Sequence, residues 1–182
     1  MNWQEYKLEM KRIWREALLR LRVGKKAAAY TLGMIEGDLV ATGRLSAKVF
    51  RGDGTVEDLG LISTQLVDTS GVNYLAAMLA AASANTMYYH ATGTGTTAAA
   101  ITDTALVTEV GTRATGTHTS STNVYTTVGT CTPGGTYAIT EWGCFSAATA
   151  GTLLDRAVFA AINVTSADSI QFTFNLTLPA GG

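Results

Sequence analysis

His90 and His118 are the only side chains in this 182-residue sequence whose ordinary pKa suits a base near neutral pH. A nucleophilic triad needs such a base beside an activated hydroxyl or thiol. His90 follows Tyr88 and Tyr89, His118 lies in a threonine run, and no Gly-x-Ser-x-Gly elbow accompanies either. Both read as surface or interface residues. Carboxylates are scattered, and Glu141, in Ile-Thr-Glu-Trp-Gly, stands out because its neighbours are apolar. Asp155-Arg156 follows in the next predicted strand, so a structural Glu141–Arg156 pair fits better than an acid–base catalyst. Gly93-Thr94-Gly95-Thr96-Thr97 echoes a phosphate loop but lacks the lysine and the Gly-x-x-x-x-Gly-Lys spacing. Arg51-Gly52-Asp53 spells an adhesion tripeptide, yet Asp53-Gly54 is already accounted for as a hairpin turn. Cys131 and Cys144 form no Cys-x-x-Cys pair, and with two histidines they make no zinc set. They read as unpaired buried thiols, a disulfide across a 131–144 hairpin being the alternative. The chain is therefore expected to be no enzyme and to carry no cofactor, no metal and no small-molecule substrate.

The elements that would position these residues are mostly strands. Leu45, Ala47 and Val49 alternate with polar neighbours, the turn Asp53-Gly54 follows, and Thr55 to Ile62 returns. Thr69 or Ser70 can cap a helix running to about Ala82, almost uncharged and so expected to be buried against a sheet. Met87 to Thr92 is a short strand, and 91–97 a loop. Residues 91–140 hold eighteen threonines, a β-branched type that suits a pleated surface. Asn123–Thr132, the turn Pro133-Gly134-Gly135 and Thr136–Phe145 read as a second hairpin, with strands at 153–164 and 169–178 after it. In the last, Ile170, Phe172, Phe174, Leu176 and Leu178 alternate with polar residues over nine positions. The whole reads as mainly β, an antiparallel β-sandwich or jelly-roll-like body.

The N-terminus has a different character. Trp3, Tyr6, Met10, Ile13, Trp14, Ala17, Leu18 and Leu21 recur at spacings of three and four, with Lys7, Lys11, Arg12, Arg15, Arg20 and Arg22 on the other face. This predicts an amphipathic helix over 3–23, ended at Gly24. Residues 1–26 hold eight of the thirteen Lys and Arg against three Glu, a net +5, while 27–182 carry −6. The division is thus a basic helical arm and connector, 1–43, and a β-rich body, 44–182. The broad apolar stripe, with two tryptophans, suits a protein groove better than nucleic acid or a membrane surface. Trp3, Tyr6, Met10, Ile13, Trp14 and Leu18, with Arg12 and Arg15, are the candidate partner-binding residues. Charged residues make up only 15% of the chain, below the roughly 25% usual for soluble domains, as expected of a surface covered by partners. No seven-residue apolar core marks a signal peptide, and no run of 18 apolar residues marks a membrane span.

The stretch Asp58-Leu-Gly-Leu-Ile-Ser-Thr-Gln-Leu-Val-Asp, then Tyr88-Tyr-His-Ala-Thr-Gly-Thr-Gly-Thr-Thr and Asp103-Thr-Ala-Leu, resembles small structural proteins of tailed phages. So do Ala138-Ile-Thr-Glu-Trp-Gly-Cys-Phe-Ser-Ala-Ala, Gly151-Thr-Leu-Leu-Asp-Arg-Ala-Val-Phe and Asp168-Ser-Ile-Gln-Phe-Thr-Phe. The likeness covers about 45–182 and leaves out the arm. It implies a virion part without cofactor or catalytic residues. The reading expected from it is a capsid cement or decoration protein, a homotrimer bound to major capsid protein on the phage head and assembled in the bacterial cytoplasm. A neck, tail or baseplate component is the runner-up, and a receptor- or glycan-binding module the third.

Overall fold

The structure is a computed structural model that describes residues 41–79 and 87–178. The predicted arm, 3–23, and most of the connector lie outside the described residues, as does the part of the predicted second helix past Leu79. The body reads, in order, β1 (Thr42–Phe50), β2 (Val56–Leu66), α1 (Thr69–Leu79), β3 (Tyr89–Gly93), β4 (Glu109–Thr115), β5 (Thr117–Ser121), β6 (Val124–Cys131), β7 (Tyr137–Phe145), β8 (Leu153–Val164) and β9 (Ser169–Thr177). These strands make two antiparallel sheets, ordered β2-β1-β9-β6-β5 and β4-β3-β7-β8.

The first hairpin is set by its turn. Arg51 N–H donates to the Thr55 carbonyl at 2.8 Å, and Gly54 takes φ +87°, which glycine adopts without a Cβ penalty. Asp53 Oδ1 accepts from the Thr55 amide and hydroxyl, and Arg51 pairs with Glu57 at 2.6 Å. All the parts of the adhesion-like tripeptide are thus engaged in or beside the turn, Gly52 N–H included, which donates to Asp168.

β9 has the cleanest strand signal and forms the middle of the larger sheet. It pairs with β1 from Thr42↔Thr177 to Phe50↔Ser169 and with β6 on its other side. Its alternation places Ile170, Phe172, Phe174 and Leu176 in the core beside Leu45, Ala47 and Val49. Ile139, Trp142, Leu154, Ile162 and Val164 of the second sheet complete the same cluster. Trp142 meets Phe174 with ring centroids 5.1 Å apart and Phe172 at 6.2 Å. Each such buried side chain stabilises by roughly 1.5–3 kcal/mol relative to exposure.

The two sheets are joined along one side by a strand that changes sheet. β4 ends at Thr115 in one sheet and β5 begins at Thr117 in the other. Gly116 makes the corner, with its N–H donating to the Tyr88 carbonyl at 2.8 Å. A Cβ there would lie 2.7 Å from the Val128 carbonyl oxygen and 2.9 Å from that of Tyr88, so only glycine fits.

Three expectations are corrected. β6 and β7 do not pair: β6 lies beside β9 and β5, β7 beside β3 and β8. The Pro133-Gly134-Gly135 turn instead carries the chain from one sheet to the other, with Gly134 at φ +75°. α1 is half-exposed rather than buried, with Val72 at 47% and Met78 at 36% exposure. Its cap position falls to Asp68, whose carbonyl accepts the Val72 N–H at 3.0 Å, while the Ser70 hydroxyl reaches across to the Leu153 carbonyl at 2.8 Å.

Candidate functional site

Glu141 sits mid-strand in β7 and Arg156 in β8, and both are essentially inaccessible to solvent. Arg156 Nε donates to Glu141 Oε2 at 2.8 Å, and Nη2 lies 2.7 Å from the same oxygen. The carboxylate takes three more donors from backbone: Gly95 and Thr108 N–H to Oε1 at 3.0 and 2.8 Å, and Val107 N–H to Oε2 at 3.1 Å. Arg156 is equally engaged, with Nη1 on Asp103 Oδ2 at 2.9 Å and Nη2 on the Thr97 carbonyl at 3.0 Å. Residues 94–108 make no strand of their own; this ion pair fastens that loop to the sheet.

The electrostatics follow from the contacts. Burial pushes the Glu141 carboxyl up, but the amides of Thr108 and Val107, then Arg156 and Gly95, together outweigh it and hold the carboxyl below its usual range. Burial likewise works against the Arg156 cation, and Asp103 and Glu141 reverse it. An ionised carboxylate whose lone pairs are all taken has no capacity to accept a further proton or ligand. The glycine-rich segment that echoes a phosphate loop therefore does cradle an anion, but the anion is the protein's own Glu141.

His90 is fully buried, contrary to the surface placement expected of it. Trp142 Nε1–H donates to its Nδ1 at 3.1 Å, which leaves Nε2 to carry the proton and donate to Thr127 Oγ1 at 3.0 Å. Thr127 Oγ1–H then donates to the Thr117 carbonyl at 3.0 Å. The chain of bonds runs from the second sheet to the first and satisfies every polar atom along it. Burial lowers the His90 pKa to about 4, so the imidazole is neutral. Among the described residues, the hydroxyl bonded to its ring is that of this structural threonine. His118, in β5, is exposed and stacks on Tyr88 at 5.1 Å.

Cys131 and Cys144 are unbridged and buried, and donate to the carbonyls of His90 and Met87. Burial pushes the Cys131 thiol up to about 12 and Cys144 well above its ordinary value, so neither is a thiolate near neutral pH. Among the described residues no group of three or more His, Cys, Asp or Glu is arranged to hold a metal ion. No described helix is long and apolar enough to cross a membrane.

Of the residues proposed from sequence, Glu141 and Arg156 are thus in direct contact. Trp3, Tyr6, Met10, Arg12, Ile13, Trp14, Arg15 and Leu18 lie outside the described residues. Sequence reasoning missed Asp68 and Asp155, two buried acids at the junction of α1 and β8. The signal available for Asp155 was its place inside the apolar run Leu153-Leu154-Asp155-Arg156-Ala157. No known protein family, characterised protein or solved structure matches this chain.

Proposed function

We propose that this chain is a structural part of a tailed-phage particle: a capsid cement protein that binds major capsid protein and stabilises the head. In this reading residues 44–182 are a β-sandwich that associates as a trimer, and residues 3–23 are the helical arm, anchored on a neighbouring subunit by Trp3 and Trp14. The observation that carries it is how the body divides its polar and apolar groups. The buried polar side chains Glu141, Arg156, His90 and Thr127 are committed to fastening loops and sheets to one another. The outside, by contrast, carries Val56, Leu61, Ile101 and Val107 at 48–57% exposure in a chain with few charges. That is how a contact-covered scaffold is built, and a scaffold acts by mass action, because a partner that binds only the assembled shell shifts it away from disassembly. The phage assignment itself rests on the resemblance over 45–182.

The test is to add the purified full chain to empty shells that lack it, then follow cosedimentation and the temperature of shell disruption. Saturable binding, a raised disruption temperature and weaker binding by Trp14→Ala are expected. No binding, with the protein instead recovered in the tail fraction of dissected particles, overturns the cement role in favour of a neck, tail or baseplate part. Light scattering on the isolated chain is expected to give the trimer mass.

A further inference from the structure

Among the described residues, two buried side-chain oxygens have no hydrogen-bond partner: Asp68 Oδ2 and Asp155 Oδ1. Asp68 is 2% exposed and stands at the start of α1; Asp155 is 0% exposed and lies in β8. Native interiors rarely leave such atoms unmatched, and a buried carboxylate without a cation is costlier still. The two acids stand beside one contact, that of Ser70 and Gly71 with Leu153 and Leu154. The Arg156 backbone N–H favours the charged form of both, and the Asp68 carboxyl disfavours charge on Asp155.

The surroundings supply little to hold two negative charges. From β2, the Gln65 amide donates to Asp155 Oδ2 at 3.2 Å. From β1 and β9 come Gly43 and Phe174, neither titratable; a Cβ on Gly43 would lie 2.2 Å from Asp155 Oδ2. From β7 the Cys144 thiol lies opposite Asp155 in the strand register and is pushed up by burial and then by that carboxyl. Asp103 adds negative charge near Asp68, and the Arg156 guanidinium offsets it in part, though that group is already bonded to Glu141 and Asp103.

We propose that Asp68 and Asp155 hold at least one proton at neutral pH and act as a latch, so that ionising both of them pushes α1 away from β8. A protonated carboxyl carries no charge, which removes the repulsion between two buried, unpartnered anions. The latch position follows from the packing. Ser70 Oγ bonds the Leu153 carbonyl, and Gly71 lies so close to Leu154 that a Cβ would sit 2.3 Å from its carbonyl oxygen. Any added repulsion between Asp68 and Asp155 acts across that same contact. Behind α1 is a small apolar cavity of about 120 Å³, lined by Leu75, Met78, Met87, Tyr125, Leu154 and Leu176, which release of the helix would uncover.

The direction with pH is fixed by the chemistry. Burial, then Asp103, raises the Asp68 carboxyl to about 7, and burial, then Asp68, raises Asp155 well above its ordinary value. At these two acids the folded state therefore binds more protons than the unfolded chain between about pH 4 and the folded values, so the pair's contribution declines as pH rises from about 4 and is lost for Asp68 as pH passes through about 7. The experiment uses the isolated full chain and does not depend on any role in a particle. Melting temperature and amide-exchange protection are measured from pH 5.5 to 8.5 on wild type, Asp155→Asn and Asp68→Asn. Wild type is expected to lose several degrees across pH 6–8, with protection over Thr69–Leu79 dropping about tenfold before that of β9. Both variants are expected to flatten the profile; if one does not fold, the other decides. Parallel profiles in wild type and variant overturn the proposal, as does protection lost equally in α1 and β9. A melting temperature at pH 8 raised by 1 mM calcium in wild type alone also overturns it, because the pair would then be a cation site.

Discussion

Replacing Glu141 by Gln tests the buried ion pair by changing a single atom. The carboxylate accepts from Gly95, Thr108, Val107 and Arg156, with donors on both oxygens. An amide has one acceptor oxygen and one donor nitrogen. If its nitrogen takes the Oε1 place, it faces the N–H groups of Gly95 and Thr108; in the Oε2 place, it faces Val107 and Arg156. Either orientation sets two donors against a donor, and each buried unmatched donor costs about 1–3 kcal/mol. Arg156, 1% exposed, also loses half the negative charge that offsets its burial, leaving Asp103. Breaking one side of a buried pair typically costs about 3–5 kcal/mol, and the same range is expected here. The assay is equilibrium urea unfolding of the full chain, read as a lower midpoint at constant slope, for E141Q, R156Q and the double variant. The double variant removes the stranded charge as well as its partner, so its loss should fall short of the summed single losses by about 1–3 kcal/mol. Losses that simply add would refute the pair as the element that holds the 94–108 loop. Faster amide exchange at Gly95, Val107 and Thr108 in E141Q, without change at β9, would locate the effect.

Three further outcomes follow from the same structure. His90, lowered to about 4 by burial, stays neutral when folded but gains a proton in the unfolded chain below about pH 6.5, so its contribution to stability falls as pH drops through 6.5 to 4. Against His90→Gln, wild type should therefore lose about 3 kcal/mol between pH 7 and 4, and equal acid slopes in the two would sink the account. Gly116→Ala puts a Cβ 2.7–2.9 Å from two carbonyl oxygens at the corner between sheets and should destabilise by about 1–3 kcal/mol, whereas a neutral effect in thermal melts would mean the corner has room to relax. Cys131 and Cys144, buried and protonated, should react with a thiol reagent at pH 8 only as fast as the body opens, and rapid labelling of the native protein would contradict their placement.

What could be read from the sequence was what depends on near neighbours. The period-two run from Ile170 to Leu178, of which the strand takes all but the last residue, the Asp53-Gly54 turn and the start of a helix near Thr69 all carry their signal within ten residues, and each is in the fold. Sheet membership is different. Pro133-Gly134-Gly135 marks a reversal wherever it leads, and whether β7 folds back on β6 or crosses to β3 is decided by pairings dozens of residues away, such as Gly93↔Glu141. The half-exposure of α1 has the same origin: lack of charge predicts a buried helix, but α1 meets Leu153 and Leu154 through Ser70 and Gly71 and packs Tyr74 and Leu75 on the core, which leaves Val72 and Met78 outside.

The polar interior shows what the chemically capable residue types do in this body. A histidine, a glutamate and a glycine-threonine loop are the parts from which catalytic and phosphate sites are made. In this body all three are bonded to one another's strands. Gly95 sits 3.0 Å from Glu141 rather than waiting for a ligand, and His90 is bonded through both ring nitrogens. A small body rich in Thr and Gly has few large apolar side chains with which to hold a fifteen-residue loop, and the loop's own backbone donors need acceptors once buried. One ionised carboxylate with three amides and an arginine around it meets both needs at once. The cost is that this carboxylate has no lone pair left for catalysis, so the feature that makes the loop rigid is the same one that removes it from the list of possible active sites.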